Sequence, residues 1–183
     1  MSQKYVMSRI KDLDREITPH IAKLQHHAKR LAFRRVCRLD DEKMIARQLY
    51  AGVYLIEIHV EVRRFKTVEK WLEKFKAEWD GDRPKKHFTP GTKAKRVKQH
   101  PRLKAWMPLY LGIRMTTVAE RIQQHMSLKA AANTGGLKLK SRRRIRLHDL
   151  RLSTIALELN SYAAMMPTIE STLRNELHPI LGR

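Results

Sequence analysis

One cysteine, four phenylalanines, seven glycines and only 18 acidic residues are what this chain has in short supply. A lone Cys37 excludes an internal disulfide and a thiolate zinc cluster. The scarcity of glycine leaves no P-loop and no glycine-rich dinucleotide turn. No apolar run approaches the roughly 18 residues that a spanning helix needs, and the N-terminal MSQKYVMSRIKDLDRE has no signal-like apolar core. The expectation is a cytoplasmic protein without a membrane role, nucleoid-associated if DNA is its partner.

The shortage of acids matters most. Against them stand 39 Lys and Arg, a net charge of +21 on 183 residues. Such an excess repels itself and calls for a polyanionic partner, nucleic acid before an anionic membrane surface. The cations are also blocked rather than dispersed. Between Arg83 and Ala119 lie Arg83, Lys85, Lys86, Lys93, Lys95, Arg96, Lys98, Arg102, Lys104 and Arg114, with no acid. A second block holds Lys138, Lys140, Arg142, Arg143, Arg144, Arg146 and Arg151, with Asp149 its one acid. KRLAFRRVCR, residues 29–38, is a third, smaller cluster. Cations seated on phosphates release counterions, and arginine forks add bidentate geometry.

The hydrophobic spacing predicts an all-α protein, with an N-terminal bundle or platform over 1–79, a basic linker over 80–101 and a helical nucleic-acid-binding half over 102–183. Val6, Ile10, Leu13 and Ile17 form one helical face. Thr18-Pro19 then reads as the start of a second helix carrying Ile21, Leu24, Ala28 and Leu31 to about Arg38. Asp40, Asp41 and Glu42 open a third. IEIHVEV, residues 56–62, alternates like a strand, yet steps of three and four run from Ala51 to Trp79, so one long helix over 41–79 is expected. Helix resumes at Arg102 and ends at AANTGG. LKLKSRRRIRLH, within 137–148, suits a short basic hairpin or arm. Ile155 to Met166 gives another helix, ended by Pro167, and Thr168 starts the last.

LGIRMTTVAERI, residues 111–122, resembles a helix-turn-helix: Gly112 in the turn, Ile113 as the plug, Val118 as the anchor, and Thr117 with Glu120 as a capping box. The recognition helix would span about 116–127, presenting Arg114, Thr116, Thr117, Arg121, Gln124 and His125 to phosphates or base edges. Pro108 and Arg121 depart from that pattern. Among aromatics, Trp71, Phe75 and Trp79 follow a core series, whereas Phe88 and Trp106 lie beside cations and are the candidates for base stacking.

Chemistry is thinly represented. His59-Val60-Glu61 lacks the cysteines of a zinc deaminase site. Glu57 and Glu61, one helical turn apart in a helix, would be the carboxylates of a metal-dependent nuclease. The expectation is a non-enzymatic DNA-binding protein, without cofactor or metal, acting in regulation, replication or genome maintenance and capable of homo-oligomer or larger assembly. An RNA-binding subunit or chaperone of a ribonucleoprotein is the first alternative, and the nuclease the second.

Overall fold

A computed structural model describes residues 3–81, 89–127 and 136–182. Its centre is a four-stranded antiparallel sheet in the order β1-β5-β2-β4, so the all-α expectation is wrong. The strands are β1 (Arg34–Arg38), β2 (Gly52–His59), β4 (Trp106–Arg114) and β5 (Leu150–Ala156). A two-stranded sheet pairs β3 (Gly91–Thr92) with β6 (Leu181–Gly182). Helices are α1 (Gln3–Ala28), α2 (Glu42–Ala46), α3 (Val68–Gly81), α4 (Ala94–Val97), α5 (Val118–Met126) and α6 (Tyr162–Leu177).

The expected long helix over 41–79 resolves into α2, β2, a 3-10 turn at Val62–Arg64, and α3. β2 explains the misreading. Tyr54, Ile56 and Ile58 pack on one face, Val53 and Leu55 on the other. A strand buried on both sides is almost continuously apolar, and helical steps can then be found in it as readily as alternation. β-branched and aromatic side chains dominate it, and these suit the pleated, half-buried surface. β4 lies where helix was expected after Arg102, and β5 takes the start of the helix expected from Ile155.

Two prolines expected to break helices lie inside them. Pro19 sits within α1, where Thr18 Oγ1 donates to Asp14 O at 2.7 Å. The segment after Ala28 is β1 rather than more helix. Pro167 sits within α6, which is held by Met166, Ile169 and Leu173 on the sheet. In α6 that burial outweighs one missing backbone bond, whereas α1 runs through Pro19 with its neighbours exposed.

The sheet thus has two differently covered faces. One is sealed by α3, α5 and the 137–147 segment, through Trp71, Phe75, Trp79, Val118, Ile122, Leu137, Leu139 and Ile145. α6 and the end of α1 cover part of the other, over Val53, Leu55, Leu111 and Ile155. Its remainder, near Glu57 and Arg151, lies outside that apolar cluster. The sheet draws strands from both sides of the 80–101 linker.

LGIRMTTVAERI is not a helix-turn-helix. Gly112 is a strand residue paired with Tyr54, and its φ is not positive. Its missing side chain makes room for the Tyr54 ring: a Cβ there would lie 2.3 Å from Tyr54 Oη. What precedes it is β4, not a first helix. α5 does form, close to the expected 116–127, but without the capping box. Thr117 makes no side-chain cap bond, and Glu120 instead accepts from Arg114 and Thr116. The first amides of α5 are satisfied by backbone, Val118 N to Tyr50 O and Ala119 N to Gln48 O, both at 3.0 Å.

The 137–148 segment is neither hairpin nor arm. It makes two 3-10 turns, Leu139–Ser141 and Leu147–Asp149, and inserts Leu137, Leu139 and Ile145 into the core. Of AANTGG, residues 131–135 lie outside the described residues.

Candidate nucleic-acid interface

Antiparallel register gathers four strand ends at one end of the sheet. Arg38 lies opposite Arg151, Arg151 opposite Glu57, and His59 opposite Trp106. All five side chains share one face at this end of the sheet.

Trp106 is half-buried and lies within that group. The Arg151 guanidinium stands 4.5 Å from its ring centroid and that of Arg38 5.8 Å, while the His59 ring meets it edge-on at 5.1 Å. β1 and β4 are three strand spacings apart, about 14 Å, so Arg38 and Trp106 must both lie down across the face to meet. Glu57 fixes Arg151 in place: its carboxylate takes Nε at 2.6 Å and Nη2 at 2.8 Å, and accepts from Ser153 Oγ at 3.2 Å. Arg38 Nη1 donates to His148 O at 2.7 Å, tying β1 to the turn before β5. The result is an aromatic ring with two guanidiniums over it on the sheet, a grouping of the kind that stacks a planar base.

Beside it runs a cleft of about 480 Å³ between the end of β2, α3 and the 144–149 turn. Arg64, Lys74, Arg144, Arg146, His59 and His148 line it, against Glu61, Glu78 and Asp149. Glu61 is paired with Arg64 at 2.8 Å, and that guanidinium holds its carboxyl below the usual range. Arg102 and Lys104, both exposed, lead into Trp106.

The expected site residues divide sharply. Arg102, Lys104, Arg143, Arg144 and Arg146 are exposed in the segments entering β4 and β5, at the sheet end just described. Arg83, Lys85 and Lys86, like Phe88, lie outside the described residues. Lys95 and Lys98 are exposed on and just after α4, Lys93 is half-buried before it, and Arg96 lies against Gly182. Lys140 pairs with Glu42 at 2.7 Å. Arg114, Thr116, Thr117, Arg121 and Gln124 sit at or after the far end of β4, away from Trp106. Arg114 is paired with Glu120 at 3.3 Å and Arg121 donates to Gln124 Oε1 at 2.8 Å.

Two expected phosphate contacts are core residues. Lys138 is 1 % exposed, in the left-handed conformation at φ 53°. Arg142, 5 % exposed, stacks 3.2 Å from the Trp79 ring centroid and donates to Trp79 O at 2.7 Å and Leu137 O at 3.1 Å.

The sequence pattern did not single out Arg64, Lys74 or the Arg38–Arg151 bracket as a site. Arg38 and Arg151 belong to basic blocks, but only cross-strand register joins them. Glu57 and Glu61 are not one helical turn apart: one is in β2, the other beyond it, and each is engaged by an arginine. Among the described residues no cluster of three or more His, Cys, Asp or Glu could hold a metal. Cys37 is buried among core residues, and burial, then Asp41 and Asp40, push its thiol up to about 11, the reverse of an arginine-activated thiolate. No described helix is long and apolar enough to cross a membrane.

Comparison with known protein families, with characterised proteins and with solved structures returns no match.

Proposed function

We propose that this chain binds single-stranded nucleic acid without catalysing a reaction on it. A base stacks against Trp106, while phosphates follow Arg102 and Lys104 on one side and Arg144, Arg146 and Arg64 on the other. One observation carries the reading: a half-buried tryptophan with the Arg38 and Arg151 guanidiniums over its ring at one end of the sheet, beside a cation-lined cleft. Base stacking on an aromatic is worth about 1–3 kcal/mol and tolerates any base. Grouped cations supply a sequence-independent attraction that falls with salt. A groove-reading helix has no part in this proposal, since Gly112 belongs to a strand. DNA and RNA strands share the chemistry of base and phosphate; use in replication or genome maintenance, or as an RNA-binding subunit, follows from which strand binds better.

Tryptophan fluorescence tests it directly. Trp71 and Trp79 are buried and Trp106 is half-buried. Titration with a short unstructured oligonucleotide should quench emission, and Trp106→Phe should abolish the change. Quenching that survives the substitution, or no binding of single strands, rejects the stacking site.

A further inference from the structure

Seven large apolar side chains of α1 stand in solvent: Tyr5, Val6, Met7, Ile10, Leu13, Ile17 and Ile21, all between 41 % and 55 % exposed. Val6, Ile10, Leu13 and Ile17 repeat at four, three and four residues, the seam of a two-helix coiled coil. Among the described residues, the apolar packing of α1 on the domain is made by its last part, through Leu24 and Ala28 on the α6 cluster. Pro19 marks the change, for beyond it the apolar step moves from Ile17 to Ile21 and turns toward the domain.

We propose that residues 3–20 of α1 pair antiparallel with the same segment of a second copy of this chain. Setting Ile10 opposite Leu13 of the second copy brings Val6 opposite Ile17, and each contact occurs twice. Arg9 and Glu16 flank this seam on one side, so each Arg9 meets a Glu16 across it in this arrangement.

Charge selects both occupant and direction. Residues 3–20 hold four cations (Lys4, Arg9, Lys11, Arg15) and three acids (Asp12, Asp14, Glu16), a net +1 of the chain's +21. The arm is therefore nearly neutral, whereas the domain behind it is strongly basic. A parallel pair would set two such domains side by side. The antiparallel pair separates their anchoring points at Leu24 by about 38 Å at 1.5 Å rise per residue, several times the Debye length of about 8 Å. An anionic membrane is a poor fit, because Asp14 and Glu16 border the apolar stripe where such a surface favours Lys and Arg. The pairing is independent of the nucleic-acid reading and would present two interfaces at opposite ends of one arm.

Sedimentation equilibrium of the nuclease-treated full chain in high salt tests this, since salt removes nucleic-acid bridging and leaves apolar pairing. The expected mass is twice the 21.6 kDa of one chain. Leu13→Glu should give monomer whose unfolding midpoint matches that of the parent at low protein concentration, because Leu13 is exposed in the single chain. At near-physiological salt, where this charge pair is less screened, Arg9→Glu and Glu16→Arg should each weaken the dimer, and the two together should restore it. A single-chain mass at the highest concentration, or a dimer indifferent to Leu13→Glu, overturns the proposal. Restoration by Arg9→Glu with Asp14→Arg instead would overturn the antiparallel arrangement.

Discussion

Arg142 stands in SRRRIR, residues 141–146, beside two exposed arginines, and its replacement by alanine should expose a difference that sequence conceals. Its guanidinium lies flat on Trp79 and bonds two main-chain oxygens, Trp79 O and Leu137 O, inside the core. A hydrogen bond from a charged donor contributes about 1.5–3 kcal/mol, and leaving a buried carbonyl unpaired costs about 1–3 kcal/mol. Against this, removing a buried charge recovers part of its desolvation penalty. The balance for Arg142→Ala is a loss of about 3 kcal/mol, a large share of the 5–15 kcal/mol typical of a folded domain. Arg142→Lys should rescue little, because an ammonium cannot stack as a plane and bond both oxygens. Arg143→Ala, on an exposed side chain, should stay within about 0.5 kcal/mol of the parent. Urea unfolding followed by tryptophan fluorescence gives the values, and oligonucleotide binding below the transition gives affinity. If Arg142→Ala leaves the midpoint unchanged and loses affinity as Arg143→Ala does, Arg142 is a surface phosphate ligand and the packing derived for it is wrong.

Gly112→Ala should destabilise by about 1–3 kcal/mol or more as an overpacked core site, and Tyr54→Leu should recover part of that in a double-mutant cycle; a neutral Gly112→Ala would remove the strand assignment. His125 is fully buried, accepts from Leu137 N and bonds Tyr54 Oη, and burial, then Arg121, hold its pKa well below the ordinary value. Because the unfolded chain takes that proton first, stability is present above about pH 6.5 and falls by about 1.4 kcal/mol per pH unit below it. Burial lowers His100 in the same direction. Urea midpoints between pH 7 and 5.5 check the slope, and His125→Gln should flatten it. Glu57→Gln should release Arg151 from its two-point pair and weaken single-strand binding several-fold, without creating or abolishing a dependence on divalent cations; loss of an Mg²⁺-dependent cleavage would instead revive the nuclease.

Where sequence served well, burial was one-sided. α3 is legible from Val68, Trp71, Phe75 and Trp79, because its other face is charged and the 3.6-residue period stands out. α5 was legible for the same reason, and the stripe of α1 by the same period although it lies exposed. β2 and β4 were not, because both are apolar on each side and a period cannot appear where nearly every position is apolar. Thr117 with Glu120 fitted a capping box whose bonds are made elsewhere. Of the interface, the cation blocks and Trp106 could be read from the chain. The bracketing of Trp106 by Arg38 and Arg151 could not, for those residues are 113 positions apart and only β1–β5 pairing joins them. Nor does composition tell Arg142 from Arg143: both are arginines in one run, and only the position of Trp79 beneath the first makes it core.

The measurement that bears most directly on single-strand binding is a competition titration. A labelled unstructured oligonucleotide, bound at near-physiological salt, is challenged with unlabelled single-stranded DNA, single-stranded RNA, duplex DNA and folded RNA, using the parent chain and the variant Arg144→Glu with Arg146→Glu. Single strands should compete best, with a log–log salt slope of about −3.5 if five phosphates are neutralised. The charge reversal should weaken binding by about tenfold or more, since it turns two attractions into repulsions beside the stacking site. Preference for the duplex, or a variant that binds as tightly as its parent, would contradict the assignment of this sheet end as the interface.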